Sequence, residues 1–222
     1  KCACVIARNT GAKQPKKNTP NGLGVFFIDT VGGIMVLAGI DYSLRGPCIC
    51  IFRGRLKDPF SIDGCSFYFL TTVKKNAEVF GNIFFGEMFE DYNHECERYE
   101  SIADWAVDKV IACDHIALEG YAYSASGRAV FQIAENCGLL KYKLHQCGKP
   151  VDILTPSTVK KFATQKGNAN KEKMVAQFTK DTGIDLKKLI TPDKKDIGSP
   201  ISDIADSFYI CWKLYHDLKV KS

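Results

Sequence analysis

Four acidic residues lie far apart in the sequence, each in a local setting able to direct it at a common point. Asp41 closes the apolar run Met35-Val-Leu-Ala-Gly-Ile40, and Glu119 closes the stretch from Ile111 to Leu118. Asp203 and Asp206 stand three apart in Ser202-Asp-Ile-Ala-Asp-Ser-Phe-Tyr-Ile-Cys-Trp212, near the start of a helix-like pattern, so they share a face. Two strand ends and one helix face can bring these carboxylates together. Such a cluster repels itself unless a counter-charge is present. Hard divalent cations such as Mg²⁺ supply that charge and prefer oxygen ligands. Two ions about 3.5–4 Å apart can hold an attacking water and a leaving 3′-oxygen, the arrangement of metal-assisted phosphoryl chemistry. Taken singly, each acid reads as an ordinary cap or surface charge, and Asp203 suits the positive end of a helix. Their joint placement is what points to a site.

The elements that must position these acids follow from the pattern of apolar residues. Val36–Asp41 is nearly continuous in apolar residues, as a buried central strand should be. Cys48–Arg53 and Ser66–Thr72 read as the second and third strands, separated by turn signals at Asp58-Pro and Asp63-Gly. Ile116–Glu119 is the fourth strand and Val151–Leu154 the fifth. Helices are expected over 101–112 with Ser101 as N-cap, over 126–140, in a short turn from Pro156, over 171–182 capped by Asn170, and over 202–218. Three strands followed by alternating helix and strand describe a mixed α/β sheet with helices packed on it. Residues 1–34, rich in Gly, Asn, Thr and Lys, read as an N-terminal extension, with the functional domain running from Met35 to the end.

Composition narrows the partner. The chain has 222 residues and a net charge of +5, but the charge is uneven. Residues 141–195 hold thirteen Lys against five acids, a local charge of +8, which leaves −3 for the remainder. A basic lobe beside an acidic body favours a polyanion, nucleic acid above all. Lys160, Lys161, Lys166, Lys171 and Lys173 flank the Gly167-Asn-Ala-Asn170 loop and a helix N-terminus, where backbone N–H groups also hold phosphate. Ten cysteines occur without a CxxC pair, which argues for free thiols rather than a zinc site. No stretch reaches the ~20 apolar residues of a membrane span.

Gly39-Ile-Asp41-Tyr-Ser, Leu118-Glu-Gly120, Thr155-Pro-Ser-Thr-Val-Lys-Lys161 with Lys166-Gly-Asn-Ala-Asn-Lys171, and Ser202-Asp-Ile-Ala-Asp206, in that order, resemble the RuvC-type Holliday-junction resolvases, most of all their viral and phage-like branch. The resemblance covers Met35 to about Leu218. It implies a ribonuclease-H-like α/β fold, a mixed five-stranded sheet with helices on both faces. It also implies a homodimer, two Mg²⁺ (or Mn²⁺) ions per active site, and paired nicks in four-way DNA junctions. Asp41, Glu119, Asp203 and Asp206 would then be the metal-binding carboxylates. Tyr121 and Tyr123 stand near the place of an aromatic that wedges into the junction in the family, and aromatic stacking on opened bases suits such a role; a pair of core or rim tyrosines is the plainer reading of the same residues. The helix over 126–140 matches the region that packs dimers in the family. The segment 73–100 is longer than the bacterial pattern, acidic and aromatic, and reads as an insertion whose acids would repel DNA.

Other readings remain open at this point. A broader branched-DNA nuclease uses the same superfamily fold, since fold does not set substrate. An actin-like ATPase also begins with a strand ending Gly-Ile-Asp, but needs a second Gly-rich phosphate loop and about twice the length. A non-catalytic DNA-binding module has no reason to keep four repelling acids. The implied location is cytoplasmic or nucleoid-associated, or the host-cell interior for a viral protein.

Overall fold

The computed structural model describes residues 33–121 and 128–222. The expected extension over 1–34 lies outside this range, apart from Gly33 and Ile34. The described residues form a single compact unit. Among the described residues no helix is long and apolar enough to cross a membrane.

Strand β1 (Met35–Asp41) is the centre of the sheet. It pairs antiparallel with β2 (Cys48–Gly54), which pairs antiparallel with β3 (Cys65–Thr71). On its other side β1 pairs parallel with β6 (His115–Glu119), and β6 pairs parallel with β7 (Val151–Leu154). These are the five strands expected from the apolar runs. The sheet is nevertheless seven-stranded, in the order β4-β5-β3-β2-β1-β6-β7. The two extra strands come from the segment 73–100: β4 (Val79–Phe80) and β5 (Phe84–Met88) form a hairpin, and β5 joins β3 in parallel. Gly81 and Asn82 between them both have positive φ, 55° and 61°. That is the turn geometry matched to the twist of a hairpin, and the Gly-Asn pair is its local signal. Phe84 is buried and its ring stacks on Phe67 of β3 at 4.9 Å.

Helices cover both faces. On one face lie α1 (Glu95–Val110) and α2 (Arg128–Gln146), packed through Ile102, Ala106, Leu140 and Leu144 against Ala38, Ile40 and Leu118. On the other lie α3 (Pro156–Thr164), α4 (Lys171–Thr182), α5 (Leu186–Ile190) and α6 (Ile201–Lys221). Their core is aromatic, with Phe208 of α6 in edge contact with Phe178 at 5.0 Å.

Local chemistry explains the boundaries. Asn170 accepts a hydrogen bond from Lys173 N at 3.1 Å, and Gly183 closes α4 with φ 74°. Helix α1 starts well before Ser101, because Glu97 caps it by accepting from Asn93 N at 2.8 Å and His94 N at 3.4 Å. Asp185 caps α5, a helix with no counterpart in the sequence reading, by accepting from Lys188 N at 3.0 Å.

The contact that orders the rest is between α6 and β1. A Cβ on Gly39 would stand 2.6 Å from the carbonyl oxygen of Ser207 and 2.7 Å from Cα of Cys211. Both are helix backbone and cannot give way. Gly138 on α2 has open space around the same position. Gly39→Ala should therefore destabilise the fold by roughly 1–3 kcal/mol through overpacking, whereas Gly138→Ala should stabilise by about 0.5–1 kcal/mol through helix propensity. Urea unfolding of the two variants checks this; equal effects would contradict it.

Candidate active site

Asp41 is the last residue of β1 and Glu119 the last residue of β6. The parallel register pairs Ile40 with Leu118, so the next residue on each strand, Asp41 and Glu119, stand side by side at one end of the sheet. Side chains alternate along a strand. Ile40 and Leu118 belong to the α1/α2 face, which turns Asp41 and Glu119 to the face covered by α6. There α6 presents Asp203 in its first turn and Asp206 three residues on. The close seat of α6 on Gly39 holds that turn over the strand ends.

The four carboxylates feel one another. Burial, then the charges of Asp203, Glu119 and Asp206, push the Asp41 pKa well above its usual range. Burial and the Asp206 charge push Glu119 up to about 7, with Lys160 pulling against them. Burial and the Asp203 charge push Asp206 up to about 6, opposed by Lys160 and Lys171. Asp203 is also raised by burial, but hydrogen bonds from Ser199 and Ser202 act in the opposite direction. Among the described residues none of the four is in an ion pair.

The loop after β1 closes over this group. Tyr42 donates its hydroxyl to Asn136 Oδ1 at 3.2 Å, and the Arg98 guanidinium donates to the Leu44 carbonyl. Gly46 N donates to Ser43 Oγ at 3.0 Å. A Cβ at Gly46 would lie 2.5 Å from Asp203 Oδ2 and would strike Ser199 Oγ, so residue 46 must be small for the loop to sit there.

The remaining sequence-predicted residues divide. Lys160 on α3 is half-buried and lies near enough to Glu119 and Asp206 to stabilise their charged forms. Lys171, first residue of α4, acts on Asp41, Asp203 and Asp206, and its Nζ donates to Ser202 Oγ at 3.4 Å. Lys161, Lys166 and Lys173 are exposed and, among the described residues, unpaired with any acid. Tyr121 is exposed and belongs with α2: its hydroxyl accepts from Lys141 Nζ at 3.2 Å, and that ammonium stands 5.0 Å from its ring centre. Tyr123 lies outside the described residues. Sequence reasoning missed Ser199, Ser202 and Gly46. The Gly46-Pro47 turn and the Ser-Asp pair were visible, but only the approach of the loop to α6 gives them a role.

In donor chemistry the group fits a hard divalent cation: four carboxylates, no competing ion pair, and raised pKa values that positive charge would reverse. It is an electrostatic cluster rather than a closed cage. Among the described residues no three His, Cys, Asp or Glu side chains are gathered in the manner of a finished metal site.

No protein-family model matches the chain, and no curated protein matches it in sequence. The fold does match solved structures. RuvC from Thermus thermophilus superposes with a TM-score of 0.52 at 16% identity, over 84% of this chain and 96% of RuvC. T. thermophilus RuvC in complex with a Holliday junction substrate gives 0.51 at 14% identity, over 79% of this chain and 92% of that one. The yeast mitochondrial Holliday junction resolvase Ydc2 aligns at 14% identity with a TM-score of 0.49, over 87% and 83%. The chain therefore has the fold seen in RuvC, a mixed α/β architecture, here with a seven-stranded sheet.

The raised carboxylates set a pH dependence. Asp206 and Glu119 titrate near 6 and 7 when folded, above their ordinary values of 3.8 and 4.5. The folded state thus holds protons that the unfolded chain has released, and stability falls as pH rises through that interval. In metal-free buffer the melting midpoint should drop as pH rises from about 4 through about 7, the interval set by Asp206 and Glu119. Glu119→Gln should flatten part of that slope. A midpoint that rises across the same interval would contradict the coupling.

Proposed function

We propose that the chain is a divalent-metal-dependent endonuclease that resolves four-way DNA junctions by paired symmetric nicks, in DNA recombination, repair or viral genome processing. The observation that carries this reading is the coupled set Asp41, Glu119, Asp203 and Asp206 at one end of the sheet, on the fold of RuvC. RuvC has been seen bound to a Holliday junction substrate. Asp41, Glu119, Asp203 and Asp206 would hold Mg²⁺ or Mn²⁺, two ions per site. Such ions, when bound, act as Lewis acids on the scissile phosphate.

The chain's own residues do the rest. The two acids at strand ends are fixed by the sheet, and the two on α6 by its seat on Gly39, so the cluster is set before substrate arrives. Lys160 and Lys171 stand beside the carboxylates and can place a phosphate against them. Lys161, Lys166 and Lys173, exposed on α3, α4 and the loop between them, would grip the flanking backbone. Tyr121, and Tyr123 beyond the described residues, are candidates for stacking on opened bases. A homodimer would bring two such sites to one junction, with α2 the candidate contact. Its outer side carries Phe131 and Tyr142, 69% and 58% exposed.

A synthetic four-way junction, a linear duplex and a flap, each with and without Mg²⁺, test the reading. Symmetric nicks in the junction alone, only with metal, are expected. Equal cutting of all branched forms would replace it with a broader branched-DNA nuclease, and no cutting of any would end it. Asp41→Asn should abolish cutting while junction binding survives in gel shift. Mg²⁺ should raise the melting midpoint of the wild type at pH 8 and much less at pH 5, because protons and cations compete for the same oxygens. Lys166→Ala should weaken junction binding and lower the log–log salt slope by about one.

A further inference from the structure

The four carboxylates are not held alike. Of the four, only Asp203 accepts side-chain hydrogen bonds among the described residues: one from Ser202 Oγ to Oδ1 at 2.9 Å, and one from Ser199. Ser202 in turn accepts from Lys171 Nζ at 3.4 Å. A hydroxyl carries a single hydrogen. With the ammonium placed on one of its lone pairs, that hydrogen is directed to the carboxylate. Ser202 is 1% and Asp203 9% exposed, so bulk water competes little for either partner. On its other oxygen Asp203 is confined by the loop: Oδ2 lies against Gly46, and Ser199, whose Oγ abuts the same glycine, is its second hydrogen-bond partner.

Ser202 precedes Asp203 in sequence, and both lie in the first turn of α6. Lys171 opens α4 thirty-one residues earlier. The Lys171–Ser202–Asp203 chain therefore ties two helix N-termini together at the carboxylate cluster. The three other acids have no such tether. Rotation about the side chain of Asp203 would swing its oxygens away from Asp41, Glu119 and Asp206; the hydroxyl opposes that rotation.

We propose that Ser202 is a positioning residue. It receives a hydrogen bond from Lys171, gives its own hydrogen to Asp203, and so fixes the orientation in which Asp203 meets a divalent cation shared with the neighbouring acids. This rests on the metal-site reading above. It adds that one end of the link is a lysine placed to meet phosphate, so cation affinity depends on the state of Lys171 through Ser202.

Mn²⁺ uptake by the full chain, read from the loss of the free-ion electron paramagnetic resonance signal and needing no DNA, tests it. Loss of a group that orients a metal ligand commonly costs about 10–100-fold in affinity. Ser202→Ala should therefore weaken Mn²⁺ binding by about tenfold, and Ser202→Thr, which keeps the hydroxyl, should recover most of that loss. Ser202→Cys is the near-isosteric second variant. It replaces a strong donor with a weak one and should behave like Ser202→Ala even if the smaller residue perturbs folding. Unfolding in EDTA reports the fold independently. In a cycle with Lys171→Met, the two effects should fail to multiply by a factor of about three or more, as for groups in one hydrogen-bonded chain. Wild-type affinity in both Ser202→Ala and Ser202→Cys would overturn the proposal while leaving the metal site standing. A wild-type chain that takes up no Mn²⁺, tested beside Asp203→Asn, would instead overturn the metal site itself and this link with it.

Discussion

Helix α6 reaches the end of strand β1 because residue 39 has no side chain. The backbone of α6 between Ser207 and Cys211 occupies the volume that any larger residue would fill. From that one contact the site follows. The first turn of α6 falls over the strand ends, and two acids on the helix meet two acids on the sheet. Main-chain pairing fixes Asp41 against Glu119, but nothing in the sheet recruits Asp203 and Asp206. Their approach depends on how tightly a helix can lie on a strand. The consequence is an interior concentration of negative charge that the fold tolerates by raising its proton affinity.

Much of this was legible from the residues. Val36–Asp41 is an apolar run that ends in a carboxylate, and a central strand with its acid at the sheet edge is what forms. Asn170 and Gly183 bound α4 as cap chemistry requires. The acids became interpretable jointly, because strand ends and helix starts are places a sequence can specify locally.

Less legible were the features that depend on distant parts of the chain. The hairpin of β4 and β5 has short strands, and its Gly81-Asn82 turn sits in a segment dominated by charge and aromatics. Its pairing with β3 is decided by the burial of Phe84 on Phe67, which no local pattern announces. Helix α1 begins early because Glu97 serves as its cap, where a hydroxyl at Ser101 looked the better candidate. Lys160 and Lys161 are adjacent and chemically identical, yet the packing of Val159 turns one toward the carboxylates and leaves the other in water. Tyr121 points to α2 because Lys141 is there to meet it.

The added edge has an electrical meaning as well. Glu87 and Glu90, from β5 and just beyond it, join Glu100, Asp104 and Asp108 of α1 around one concavity, on the side of the sheet away from α3 and α4. Lysines crowd the opposite side. The molecule is thus polarised across its sheet. In the field of a polyanion such a charge distribution would feel a torque before contact, over a range of about 8 Å in physiological salt. Lys109 pairs with Glu87, and Lys143 with Glu100 and Asp104, so of these five acids Glu90 and Asp108 carry the unpaired charge among the described residues, and the segment that widens the sheet supplies one of them.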